Sequence, residues 1–217
     1  VMTCALREIF TVMDKPESSN VAYTDALLQL HTDLPYYEYM PGVNLLHCIK
    51  QDRSAGGRSW LVDGLTATNK LKVARPEAFH SLCRTQVTWS DEGRDVEGEF
   101  HKLHRSPVIC LSGDTVTRVN LSQPQRSSLF PVSCEEATAW YSALRQFNEV
   151  MRDPDVLVDF KLKEGDILAF SNIRVIHGRS QVGTAGGRHL EGSYVDWDEI
   201  RSTRRVLQKK LGKGFTL

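Results

Sequence analysis

Three residues in this chain have the types and spacing to hold one metal ion. His31 and Asp33 stand two apart, and in an extended segment residues i and i+2 point to the same face, so both side chains could chelate one ion. On a helix they would diverge by about 200°. A second histidine, His177, closes the apolar run Val175-Ile176 and precedes Gly178, where backbone can approach a ligand closely. Arg188 follows at the head of another strand-like run. An early His-x-Asp, a late His and an Arg after it match a two-histidine, one-carboxylate facial triad, which leaves positions open on non-haem Fe(II) for a chelating cosubstrate and oxygen. The planar fork of an arginine suits the far carboxylate of 2-oxoglutarate. A His-x-Asp triplet alone says little, because roughly one arises by chance in every two chains of this size. Its combination with His177 and Arg188 carries the reading. A zinc hydrolase built on the same histidines would leave Arg188 without a role.

The elements that must position these residues are mostly strands. Short β-type runs at 42–50, 59–63, 156–162, 167–170 and 188–196 are separated by Gly, Pro and Asp punctuation. Runs at 107–111 and 116–121 flank Ser112-Gly113-Asp114 and predict a hairpin. Two helices interrupt the pattern. Ser133 and Glu136 form a capping box for a helix over 135–152, with Trp140, Ala143, Leu144, Phe147 and Met151 at core spacing. The other runs over about 197–211, with Ile200, Val206, Leu207 and Leu211 apolar and many basic residues solvated. Many short strands with a few outer helices predict a mainly β fold with flanking helices, a β-barrel or jelly roll rather than alternating βαβ units.

The 217 residues carry 27 Lys+Arg against 27 Asp+Glu, and 41% of them are hydrophobic. No repeat divides the chain, so 1–217 reads as a single domain. Zero net charge without a basic block argues against a nucleic-acid partner, and no apolar run approaches the ~20 residues of a membrane span. Five scattered cysteines with no C-x-x-C pair predict mostly buried free thiols in a reducing compartment. Residues 5–10 read like the middle of an element, an expectation of missing upstream sequence.

Several longer motifs sharpen this. Asn20-Val21-Ala22-Tyr23-Thr24 precedes His31-Thr32-Asp33; Pro41-Gly42-Val43-Asn44-Leu45-Leu46-His47-Cys48, Gly56-Gly57-Arg58-Ser59 and Val62-Asp63-Gly64 follow. Later come His177-Gly178-Arg179, Arg188-His189-Leu190-Glu191-Gly192-Ser193-Tyr194 and Asp196-Trp197-Asp198. In these the chain resembles the γ-butyrobetaine and trimethyllysine dioxygenases of carnitine biosynthesis over about residues 10–211, and the butyrobetaine branch more closely. The resemblance implies a double-stranded β-helix (jelly-roll, cupin-like) oxygenase fold lacking its N-terminal start and the zinc module that often precedes it. It implies Fe(II) on His31, Asp33 and His177, 2-oxoglutarate on Arg188 with help from the Ser59 hydroxyl, O2 as oxidant and ascorbate as reductant. Tyr23, Tyr194 and Phe10 would wall an aromatic cage for a trimethylammonium group, with Asn20 and Ser122 on the substrate carboxylate.

The implied reaction is hydroxylation of γ-butyrobetaine to L-carnitine. Trimethyllysine or another betaine is the alternative substrate, and a non-catalytic ligand-binding relative or inactive fragment the alternative class. Leu6, where the branch has an aromatic residue, and Ser122, where it has Asn, are the departures that bear on substrate. The expected partner is a small betaine-type molecule, with a homodimer open to the chain because family members are often dimers. The expected compartment is intracellular, cytoplasmic unless a transit peptide precedes Val1, in which case mitochondrial. Among the remaining groups, His47 reads as a core or near-site residue, His101 and His104 as solvated, His80 as a helix surface residue, and Arg179 as the competitor of Arg188.

Overall fold

The computed structural model describes residues 9–13, 24–95, 98–183 and 187–214. Eight strands form two four-stranded sheets. One runs in the order β1 (Phe10–Met13), β12 (His189–Val195), β3 (Val43–Lys50), β10 (Ile167–Ser171). The other runs β2 (Leu28–His31), β11 (Val175–Arg179), β4 (Ser59–Asp63), β9 (Leu157–Phe160). Every pairing is antiparallel, and neighbours in space are distant in sequence. That is the arrangement of a double-sheet jelly roll, as the strand pattern predicts.

Between β4 and β9 the chain makes a long excursion. It contains α1 (Gly64–Ala74), α2 (Pro76–Arg84), the hairpin β5 (Val87–Asp95) with β6 (Gly98–Ser106), the hairpin β7 (Ile109–Ser112) with β8 (Thr115–Val119), and α3 (Cys134–Met151). The capping box on α3 forms as its sequence requires: Glu136 N–H donates to the Ser133 hydroxyl oxygen, and Ser133 N–H to the Glu136 carboxylate. A fourth helix, α4 (Trp197–Lys210), follows β12 and buries none of its residues; Val206, Leu207 and Leu211 stay at least half exposed.

Apart from placing His80 on a helix, the sequence pattern gives no run for α1, α2 or the β5–β6 hairpin, nor for the short strands β1 and β2. Gly64 and two threonines make α1 a poor autonomous helix. It forms because Asp63 caps it, accepting from Leu65 N–H, and because Ala67 and Leu71 bury completely. Pro76 at the start of α2 supplies a preset φ. α1, α2 and α3 close on a core that includes Phe79, Leu82, Trp89, Trp140, Phe147 and Met151. His101 is exposed and His80 lies on the outer side of α2, but His104 is not solvated: it is half-buried in β6, its Nε2 is enclosed, and burial pulls its pKa down. The thiols are also less buried than expected. Cys48 is buried, Cys83 and Cys110 partly so, and Cys134 is exposed at the start of α3; none of the four is in a disulfide.

Candidate active site

β2 ends at His31, so the i, i+2 argument reaches the right result by a different local structure. Asp33 lies just beyond the strand, in a turn where Leu34 takes a left-handed φ of 55°. Thr32 is fully buried on the opposite side, giving its N–H to Leu121 O (2.7 Å) and accepting Leu121 N–H on its hydroxyl (3.0 Å). With Thr32 anchored away, His31 and Asp33 come together. His31 Nε2 is 3.2 Å from Asp33 Oδ1, and His177 Nε2 is 3.6 Å from the same oxygen. The three side chains are only 12, 16 and 11% exposed.

His177 reaches this point because β11 pairs with β2 in the register His177 to His31, which sets the two rings 4.3 Å apart. Gly178 permits that pairing: a Cβ there would sit 2.8 Å from Leu28 O. Across the gap, the other sheet presents a matching row. Tyr194, Asn44 and Phe170 are register partners on β12, β3 and β10. The Phe170 ring packs 4.8 Å from His177, while Asn44 Nδ2 and Tyr194 Oη donate to Asp33 Oδ2 at 2.5 and 3.1 Å.

The electrostatics favour an ionised Asp33 carboxylate, a neutral His177 imidazole and a His31 imidazole whose proton Asp33 holds. Burial works to raise the Asp33 carboxyl, but the charge on His177, the hydrogen bond and charge of His31 and the Tyr194 hydroxyl bring it down to about 2. Burial and then the His31 charge push His177 down to about 4, against the pull of Asp33. For His31, burial opposes the charged form, yet Asp33 and the Gln29 carbonyl raise its pKa overall. His31 Nδ1 sits 2.8 Å from Gln29 O, which makes it a donor nitrogen and sets Nε2, the atom facing Asp33 Oδ1, as the one that would bind an ion on losing its proton. Two imidazoles and a carboxylate with ligating atoms within 4.8 Å of one another are the one such cluster among the described residues.

These groups line a cavity of about 700 Å³ between the sheets, together with Phe10, Ser59, Ser122, Arg188 and Tyr194. Arg188 lies immediately before β12; its Nε is buried with no hydrogen-bond partner. Burial and the neighbouring Arg179 lower its pKa to about 10, against the pull of Cys48 and Asp52. Arg179 also reaches the cavity, but its guanidinium is tied to the carbonyls of Thr24 (2.9 Å) and Ala26 (3.1 Å). Ser59 is buried and pairs with Arg179 in register. Phe10 and Tyr194 stack with ring centroids 4.8 Å apart. Asn20 and Tyr23, like Leu6, lie outside the described residues.

His47 is half-buried on the face of β3 opposite Asn44 and Leu46, so it does not join the cavity. The sequence reading assigns no role to Asn44, Asn172 or Phe170, nor to Asp91, Phe100 and Lys102, which hairpin β5–β6 adds to the cavity wall. Asn44 had a signal: a lone polar residue on the inward phase of an apolar strand.

Residues 4–194 match the family model described as "Taurine catabolism dioxygenase TauD, TfdA family". The chain is 39% identical over 206 residues to a human γ-butyrobetaine dioxygenase, covering 94% of this chain and 53% of that protein. It is 30% identical over 190 residues to a bovine mitochondrial trimethyllysine dioxygenase, covering 87% and 44%. It thus spans about half the length of the curated relatives it matches. Among solved structures, an asparagine oxygenase in complex with Fe(II), 2S,3S-3-hydroxyasparagine and succinate superposes with a TM-score of 0.64 at 16% identity, covering 90% of this chain and 59% of that one.

Proposed function

The chain belongs to the taurine catabolism dioxygenase TauD, TfdA family, and from that premise we propose that it is an Fe(II)- and 2-oxoglutarate-dependent oxygenase hydroxylating a trimethylammonium carboxylate, γ-butyrobetaine before others. One observation carries the reading. Two imidazoles and a carboxylate converge on a cavity whose wall also holds a buried arginine Nε with no hydrogen-bond partner among the described residues. That donor set fits Fe(II), and an unpaired buried guanidinium nitrogen is costly unless a ligand carboxylate takes it. Together the bound iron and oxoglutarate supply the oxidising chemistry, in which one atom of O2 enters the substrate and the other enters succinate as carbon dioxide leaves.

The protein's own residues supply placement. His31, Asp33 and His177 hold the metal, while Arg188 and the Ser59 hydroxyl take the far carboxylate of oxoglutarate. In the same cavity wall, the stacked Phe10 and Tyr194 rings offer π faces to a quaternary ammonium, which has no hydrogen to donate and is held by cation–π attraction and shape. Ser122, buried and lining the same cavity, is the donor for the substrate carboxylate; Asn20 and Tyr23, which the resemblance also assigns to the substrate, lie outside the described residues. Holding both ends sets which carbon meets the oxidant. The higher identity to the butyrobetaine relative than to the trimethyllysine relative supports naming γ-butyrobetaine first.

The test combines purified protein with Fe(II), ascorbate, 2-oxoglutarate, O2 and either γ-butyrobetaine or trimethyllysine. Succinate equal in amount to hydroxylated product, and faster with γ-butyrobetaine, is the expected outcome. Folded, iron-loaded protein that makes no more succinate with either betaine than without would sink the enzyme reading.

A further inference from the structure

Asp33 is held far more firmly than a metal ligand needs to be if the ion alone arranged it. Its backbone is clamped at both ends by Asn172, a completely buried side chain. Asp33 N–H donates to Asn172 Oδ1 (2.8 Å), and Asn172 Nδ2 donates to Asp33 O (2.9 Å). Its carboxylate is divided in function. Oδ1 faces the two histidine Nε2 atoms, while Oδ2 accepts from Asn44 Nδ2 at 2.5 Å and Tyr194 Oη at 3.1 Å. Those donors are cross-strand partners on β3 and β12, so one row of that sheet reaches over to hold one oxygen of a residue that follows β2 of the other sheet. Asn44 is 1% exposed, and its own Oδ1 has no partner. A buried amide left half-satisfied is destabilising, and among the described residues the bond to Asp33 is what its donor makes.

Resting on the metal-site reading above, we infer that Asn44 and the Tyr194 hydroxyl are positioning residues that reserve Asp33 Oδ2 and leave Oδ1 as the single oxygen for the metal. Tyr194 thereby has two roles. Its ring stacks on Phe10 in the cavity wall, and its hydroxyl holds a metal ligand, so one side chain links the proposed aromatic wall to the proposed metal centre. An unrestrained carboxylate could swing to offer both oxygens, occupying a position that a cosubstrate or oxygen needs.

Mn(II), a redox-quiet probe of such sites, tests this by paramagnetic resonance on the wild-type chain and on Tyr194→Phe and Asn44→Leu. Each variant is expected to bind Mn(II) about tenfold more weakly, and the spectrum of the bound ion is expected to change as the ligand oxygen count changes. The metal-free melting temperature of Tyr194→Phe, which keeps its buried ring, should stay close to wild type. If Asn44→Leu does not fold, Tyr194→Phe carries the comparison alone. Wild-type affinity and an unchanged bound spectrum in a folded variant would overturn the positioning role while leaving the metal site intact. No Mn(II) binding by the wild-type chain would overturn the metal site and this inference with it.

Discussion

Around α1, α2 and α3, apolar side chains close on one another until nothing stays open: Leu71, Leu82, Trp89, Trp140, Phe147 and Met151 are each at most 1% exposed. Between the two four-stranded sheets, where a β-sandwich normally builds the same kind of core, only a small cluster of Cys48, Leu162 and Leu190 does so. The rest is a cavity of about 700 Å³ in which histidines, two carboxylates, arginines and amides stand among apolar side chains. The excursion between β4 and β9 therefore supplies the packed core that the sheets forgo. Stability and chemistry are concentrated in different regions, and substitutions should separate them.

The largest effect is expected in the packed region. Trp140 is fully buried, with Phe130 edge-on at 5.1 Å. Trp140→Ala should lower unfolding free energy by about 3–5 kcal/mol, measured by urea denaturation. The folded fraction should bind Mn(II) as wild type does; a parallel loss of metal affinity would break the separation.

Arg188→Met sharpens the contrast from the other side. Removing a charge-assisted, bidentate partner should weaken 2-oxoglutarate binding by about 2–3 kcal/mol, or roughly a hundredfold, in a titration of the metal-loaded protein. Because the wild-type guanidinium is buried beside Arg179 and its Nε lacks a partner, the metal-free stability should hold or rise.

A smaller effect is expected at Asp63, where the two regions meet at the β4–α1 junction. Its carboxylate caps α1 and accepts Arg174 Nε and Nη2 at 3.0 and 2.6 Å. Asp63→Ala should cost about 1 kcal/mol and leave metal affinity unchanged. Arg174 holds this carboxyl below its ordinary value, against burial. A depressed folded-state pKa stabilises above the unfolded value and is lost as pH falls through the folded one. The difference between wild type and Asp63→Ala should therefore shrink in acid, as read by melting temperatures across the carboxylate range.

How legible this was in the sequence follows the same division. Five sandwich strands, β3, β4, β9, β10 and β12, and α3 carry their own signals: alternation in β3, glycine turns around β4 and β10, and Ser133 with Glu136 ahead of an apolar stripe. His31, Asp33, His177 and Arg188 stand out because residue type and order restrict their chemistry. α1 was hidden because its helix is imposed by a cap and by tertiary burial rather than by propensity. Hairpin β5–β6 was hidden because charged residues on long strands resemble a loop until the partner strand is known. Asn44 and Asn172 needed the register between distant strands: nothing local in either segment says which residue it will face.

The claim that His31, Asp33 and His177 form one metal centre is tested most directly by anaerobic Fe(II) binding in the presence of 2-oxoglutarate, wild type against His177→Ala. The expected result is one Fe(II) per wild-type chain, with affinity falling more than about a hundredfold in the variant while it remains folded. Equal Fe(II) affinity in the two proteins would contradict the account.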